Sequence, residues 1–177
     1  MTLKKIKIIG IIITFSFTIL FHFLYDWFPS VVFSIFFPVN ESIWEHMKLL
    51  YSGIVCWGII EYFLLKKFNI KFYNFWYQLF ITAFTSIPIY LIVYLPLYSL
   101  FGENMFISIA LLIIVIILEN IFSYYLLREN KDRFFLNKVS AVLLVLFYLV
   151  FISLTYDPIK NYIFYDMVTN SYGITKK

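Results

Sequence analysis

Residues 105–127 read MFISIALLIIVIILENIFSYYLL, with Glu119 as the one charged side chain. A helix needs about 20 mainly apolar residues to cross the hydrocarbon core of a bilayer. This stretch meets that length, and so do residues 6–25, 41–65, 72–95 and 134–155. The intervening SVVFSIFF at 30–37 is apolar but too short to cross, and Pro29 and Pro38 bracket it. It predicts a re-entrant or interfacial piece. The expected fold is all-α: a polytopic membrane bundle of five transmembrane helices plus that short segment. Residues 1–177 are expected to form a single transmembrane domain with a tail from 156 onward.

Composition agrees with lipid as the solvent. The chain is 63% hydrophobic and 14% charged, against about 45–50% and about 25% for soluble domains. Phe and Tyr are abundant, but so are Ile, Asn and Lys, which reads as a bias along the whole chain rather than as aromatic recognition. The net charge of +4 does not point to nucleic acid, because the basic residues sit in short clusters between apolar spans. Cys56 is the lone cysteine, so no intrachain disulfide and no Cys-based zinc motif is available.

Those basic clusters predict orientation. Lys4, Lys5 and Lys7 precede the first span, Lys66, Lys67 and Lys71 follow the second, and Arg128, Lys131, Arg133 and Lys138 surround the fourth-to-fifth connection. The segments 26–40 and 101–104 carry no basic residue. Under the positive-inside rule, the amino end is cytoplasmic and the carboxyl tail extracytoplasmic. A plasma membrane is the expected location. The run after Lys7 is long for a signal peptide, and FHFLYDWF offers no small-residue cleavage site, so it reads as an uncleaved first span.

PVNESIW at 38–44 reads as a helix start. Asn40 is the expected N-cap, Val39 and Trp44 the pair of a hydrophobic staple, and Glu41 and Glu45 the anions favoured in the opening turns. Glu41, Glu45, Lys48 and Ser52 share one helical face, so Lys48 is placed to pair with Glu45. His46 points about 100° away from Glu45. If both serve one site, another helix must complete it.

The blocks PVNESIWEH, followed by KLL, and FYDMVTNSYGI together resemble an uncharacterised family of small bacterial integral membrane proteins. That family has a Pro-Val-Asn-Glu-Ser-x-Trp-Glu-His block and a Phe-x-Asp-x-x-Thr-x-x-Tyr-Gly-Ile tail. The resemblance runs from residue 38 to residue 174. It implies a bacterial membrane protein in which Asn40, Glu41, Trp44, Glu45, His46, Asp166, Thr169, Tyr172 and Gly173 belong to the family pattern. It implies no activity. The family's Pro-rich stretch before the tail is reduced here to Pro158. Both blocks fall on the same predicted side, so the tail is expected to fold back over the mouth of the second span.

Polar residues recur every four positions in two spans: Gly10, Thr14, Thr18, His22 and Asp26 in the first, and Asn74, Gln78, Thr82, Ser86, Tyr90, Tyr94 and Tyr98 in the third. Such stripes mark helix–helix contacts or line a water-filled path. Pro88 is a kink or hinge candidate. Ionisable side chains at bilayer depth are costly and point to function. They form two groups. His22, Asp26, Glu41, Glu45, His46 and Asp166, together with the neutral amide Asn40, are ligand-binding candidates at the tail side. Glu61 and Glu119 are intramembrane carboxylates, Glu61 placed to snorkel beside Lys66 and Lys67.

Three functions fit. The first is binding or transport of a small cation or polar ligand through an acidic, outward-facing pocket. The second is an accessory or interaction subunit, using a membrane-protein partner or a homo-oligomer. The third is a metal-dependent intramembrane hydrolase, with a divalent metal as cofactor on His22, Glu45 and His46. Neither HExxH nor G-x-S-x-G occurs, and no Walker motif, Rossmann glycine pattern or extended basic groove is present. Catalysis is the less expected outcome.

Overall fold

The computed structural model describes residues 1–131 and 133–174. Five long helices make the bundle: α1 (Leu3–Trp27), α3 (Ile43–Lys67), α4 (Phe75–Phe101), α5 (Met105–Arg128) and α6 (Phe134–Tyr156). Each is long and apolar enough to cross a membrane. The short segment is helical as well, α2 (Val31–Phe36). After α6 the tail turns through a two-stranded antiparallel hairpin, β1 (Tyr165–Asp166) and β2 (Ser171–Tyr172).

Helix α3 is the most buried of the five. It packs between α1 and α4, α4 also packs on α5 and α6, and α1 closes the bundle against α5. Small residues set these close approaches. A Cβ on Gly10 would stand 2.6 Å from the Trp57 ring and 2.8 Å from the Asn120 side-chain oxygen. A Cβ on Gly58 would collide with the side chain of Leu79. Pro88 and Pro96 both lie inside α4, which continues past the expected end at 95 to Phe101.

The three basic clusters meet at one end. Tyr73 N–H donates to the Leu127 carbonyl (3.0 Å), and Asn74 joins the α5–α6 connection by donating to the Lys131 carbonyl (2.6 Å) and accepting from Arg133 N–H (3.1 Å). In that connection a forked contact from Arg133, 2.8 and 2.9 Å from its terminal nitrogen, holds the Glu129 carboxyl below the usual carboxylate range. Lys7 departs from its sequence reading as an interfacial charge. It is buried, its ammonium 2.5 Å from Glu61 Oε1 and hydrogen-bonded to Ser123. Glu61 therefore does not snorkel. A partner on α1 keeps it inside the bundle.

The start of α3 corrects the N-cap. Ser42, not Asn40, is the cap: its Oγ accepts from Glu45 N–H (3.3 Å). Asn40 sits two residues ahead, its Oδ1 accepting from Ser42 N–H (2.9 Å) and its Nδ2 donating to the Gly173 carbonyl (2.8 Å). The reason is where the helix begins: its first residue is Ile43, so Ser42 takes the cap position and Asn40 lies outside it. Val39 and Trp44 then no longer occupy the staple positions. Trp44 instead packs its ring 5.2 Å from Phe164 and 5.6 Å from Phe151.

The tail does close over this end. Trp44 N–H, one of the orphan donors of a helix start, donates to the Ile163 carbonyl (3.0 Å). Gly173 adopts φ 66°, and a Cβ there would lie 2.9 Å from the Thr155 carbonyl oxygen. Both facts call for glycine in the Tyr-Gly-Ile signature.

Candidate functional site at the tail end of the bundle

Glu45 and His46 are neighbours in sequence, and helical rotation sends them to opposite sides. Glu45 faces α6 and is buried with Lys48. The Lys48 ammonium has three N–H donors and three acceptors meet them: Glu45 Oε2 (2.6 Å), Thr155 Oγ1 (2.7 Å) and the Ser34 carbonyl (2.7 Å). Glu45 Oε2 also accepts from Val39 N–H (3.0 Å), and Oε1 accepts from the Thr155 hydroxyl (2.7 Å). Both carboxylate oxygens are engaged. This clamp joins α2, α3, α6 and the 37–42 connection, and it leaves Glu45 turned away from the histidines.

Glu41 takes the place beside them. It precedes the helix rather than lying in its first turn, so it is not bound to the Glu45 face. Its Oε2 lies 3.4 Å from His46 Nε2 and 3.7 Å from His22 Nε2. The rings of His22 and His46 meet edge-on with centroids 5.2 Å apart. One potential ligand atom from each of His22, Glu41 and His46 lies within 4.8 Å of the other two. His46 Nδ1–H donates to the Ser42 carbonyl (2.9 Å), because a carbonyl can only accept. The Ser42 carbonyl thus orients the ring and turns Nε2 toward Glu41, as backbone carbonyls do for metal-binding imidazoles.

The trio stands at the side of a chamber of about 420 Å³. Its walls come from α1, α3, α4, α5 and the tail, and include Phe15, Thr18, Met47, Tyr90, Tyr94 and Leu112. The volume falls in the range of about 300–1,000 Å³ typical of small-molecule sites. Among the described residues no Lys or Arg lines it. Asp26 is exposed beyond His22 and does not reach the chamber wall. Asp166 is buried within the tail hairpin, where it accepts from Val168 N–H (2.9 Å) and the Thr169 hydroxyl (2.5 Å).

The two intramembrane carboxylates belong to a separate, tighter cluster. Beyond the Lys7–Glu61 pair, Ser123 donates to the Gln78 side-chain oxygen, and Glu119 Oε1 accepts from the Thr85 hydroxyl (3.0 Å). Together with Thr14, Trp57 and Asn120 these groups surround only about 10 Å³ of space. The polar stripes of α1 and α4 both face inward, Thr14, Thr18, Thr82 and Ser86 being buried, and they run between the two clusters.

Sequence reasoning missed several chamber residues. Met47, Met105, Met167 and Glu103 carried no motif, and Tyr90, Tyr94 and Tyr98 were visible only as part of a stripe. Lys7 was hidden among the topology lysines.

Five membrane-length helices packed as one bundle define a polytopic helical membrane protein. The chain belongs to a family of unknown function, DUF6512, whose match covers residues 1–174. No curated protein and no solved structure matches it.

Proposed function

We propose that this chain is a cation-binding protein of the plasma membrane, a single transmembrane unit with its basic end in the cytoplasm and its chamber facing outward. The basic clusters support that orientation through the positive-inside rule, and the family resemblance supports a bacterial cell. The observation that carries the function is the convergence of His22, Glu41 and His46 on one wall of a chamber free of lysine and arginine among the described residues. Two imidazoles and a carboxylate suit a zinc-type divalent ion. In a tetrahedral zinc site with bonds of about 2.0–2.1 Å, neighbouring ligand atoms stand about 3.3–3.4 Å apart; Glu41 stands 3.4 and 3.7 Å from the two imidazoles, and all three ligand atoms lie within 4.8 Å, so a small closure of the trio completes the geometry.

Binding is favoured over passage. The chamber ends at Phe15, Leu49 and Leu112, and the space beyond it in the other cluster is only about 10 Å³. Titration of the purified full chain with zinc should give one site per chain. His22→Ala and His46→Ala should each weaken it by more than tenfold, and Asp26→Asn should leave it unchanged. Absence of saturable binding, or equal binding by the histidine variants, rejects the reading.

A further inference from the structure

A small hydrated ion would use only one wall of the chamber. The remaining walls have a different chemistry. Tyr90, Tyr94 and Tyr98 stand one turn apart on α4, with ring centroids spaced 5.1 and 5.8 Å. Tyr162 and Tyr165 add phenol rings from the tail. Three of the four methionines, Met47, Met105 and Met167, line the same space. Glu103 supplies a carboxylate apart from the His22–Glu41–His46 trio, and no Lys or Arg lines the chamber among the described residues.

Each of these features selects the same kind of guest. Aromatic faces carry negative potential and attract cations, most strongly where water is excluded, and Tyr90 and Tyr94 are buried. Methionine is flexible and polarizable, and it moulds to irregular apolar shapes. The Glu103 carboxylate in the lining favours a cationic over an anionic guest. The chamber also has an apolar margin: Ile19 and Phe23 on α1 and Met105 and Ile109 on α5 line it and are exposed. In a membrane-spanning bundle, such exposed apolar side chains face lipid, so a guest dissolved in lipid can reach the chamber from the side.

We propose that the chamber binds a lipophilic organic cation, a quaternary ammonium or phosphonium with an apolar body, held against the Tyr90–Tyr94–Tyr98 ladder with Glu103 as countercharge. This rests on the reading of the chamber as a cation site and adds the class of guest. The metal and the organic cation use different walls, so the two can be separated.

The test is calorimetric titration of the purified full chain with tetraphenylphosphonium, and with the neutral triphenylphosphine oxide as control. Saturable phosphonium binding is expected, at least tenfold tighter than the oxide. Tyr94→Leu and Glu103→Gln should each weaken it by about tenfold while zinc binding persists in both. Tyr94→Phe, which keeps the ring, should stay within about threefold of the parent. Equal affinity for the neutral control, or phosphonium affinity unchanged in both Tyr94→Leu and Glu103→Gln, overturns the proposal. Phosphonium binding that survives His22→Ala while zinc binding is lost supports it independently of the metal. Zinc binding without phosphonium binding rejects it and leaves the metal reading standing.

Discussion

At the basic end of the bundle, Lys7, Glu61, Ser123 and Gln78 close on one another around about 10 Å³; at the tail end, His22, Glu41 and His46 border a chamber of about 420 Å³. Both groups are built from ionisable and hydrogen-bonding side chains on α1 and around α3. The first satisfies its charge internally: an ammonium from α1 meets a carboxylate from α3, and the pair is sealed from solvent. The second keeps two imidazoles and a carboxylate half-exposed, with the Nε2 of His46 directed at the other two groups. A membrane protein can therefore place titratable groups at depth for two reasons. A buried ion pair ties helices together, whereas a cluster beside open volume retains the capacity to bind. The contrast recurs within one helical turn, where Lys48 saturates Glu45 on one side of α3 and His46 faces the chamber on the other.

This contrast can be broken by substitution. The largest expected effect is at the closed cluster. Lys7→Met strands the buried Glu61 carboxylate, and breaking such a pair costs about 3–5 kcal/mol. Denaturant unfolding in detergent should show that loss, and Lys7→Met combined with Glu61→Leu should recover most of it, since apolar replacement of both partners is often neutral. A single variant as stable as the parent would show that the pair does not hold the bundle.

A smaller effect is expected from Gly173→Ala in the tail. The substitution places a Cβ at a positive φ, 2.9 Å from the Thr155 carbonyl oxygen, and left-handed backbone costs a non-glycine residue about 1–2 kcal/mol. Detachment of the tail would expose the chamber, so zinc affinity and protease resistance of residues beyond 156 should fall together. Unchanged protease resistance would mean that the tail docks without needing this conformation.

The five spans were legible because lipid imposes a length of apolar sequence that few other structures require. The closing of the tail over α3 was legible from the parity of those spans and from the position of its turn formers. What escaped was rotation and distant partnership. Asn40 and Ser42 are both good caps, and Asn40 instead reaches Gly173, far away in the chain. Lys7 looks like any other topology lysine until α1 is rotated against Glu61 on α3. Glu45 is an expected metal ligand with His46 despite the angle of about 100° between adjacent helical side chains, and its engagement by Lys48 and Thr155 on the other side is not visible in the sequence. Glu41, outside the helix, is free of that constraint. The tyrosine ladder was seen as a stripe, but only the assembled chamber distinguishes a lining face from a packing face.

X-ray absorption at the zinc edge of the zinc-loaded full chain tests the central claim most directly, because it counts the imidazoles on the metal. The account predicts two, with nitrogen and oxygen ligands at about 2.0–2.2 Å, falling to one in His22→Ala measured at saturating zinc. A spectrum of the parent with fewer than two imidazoles, or one that His22→Ala leaves unaltered, would contradict a site shared by α1 and the start of α3.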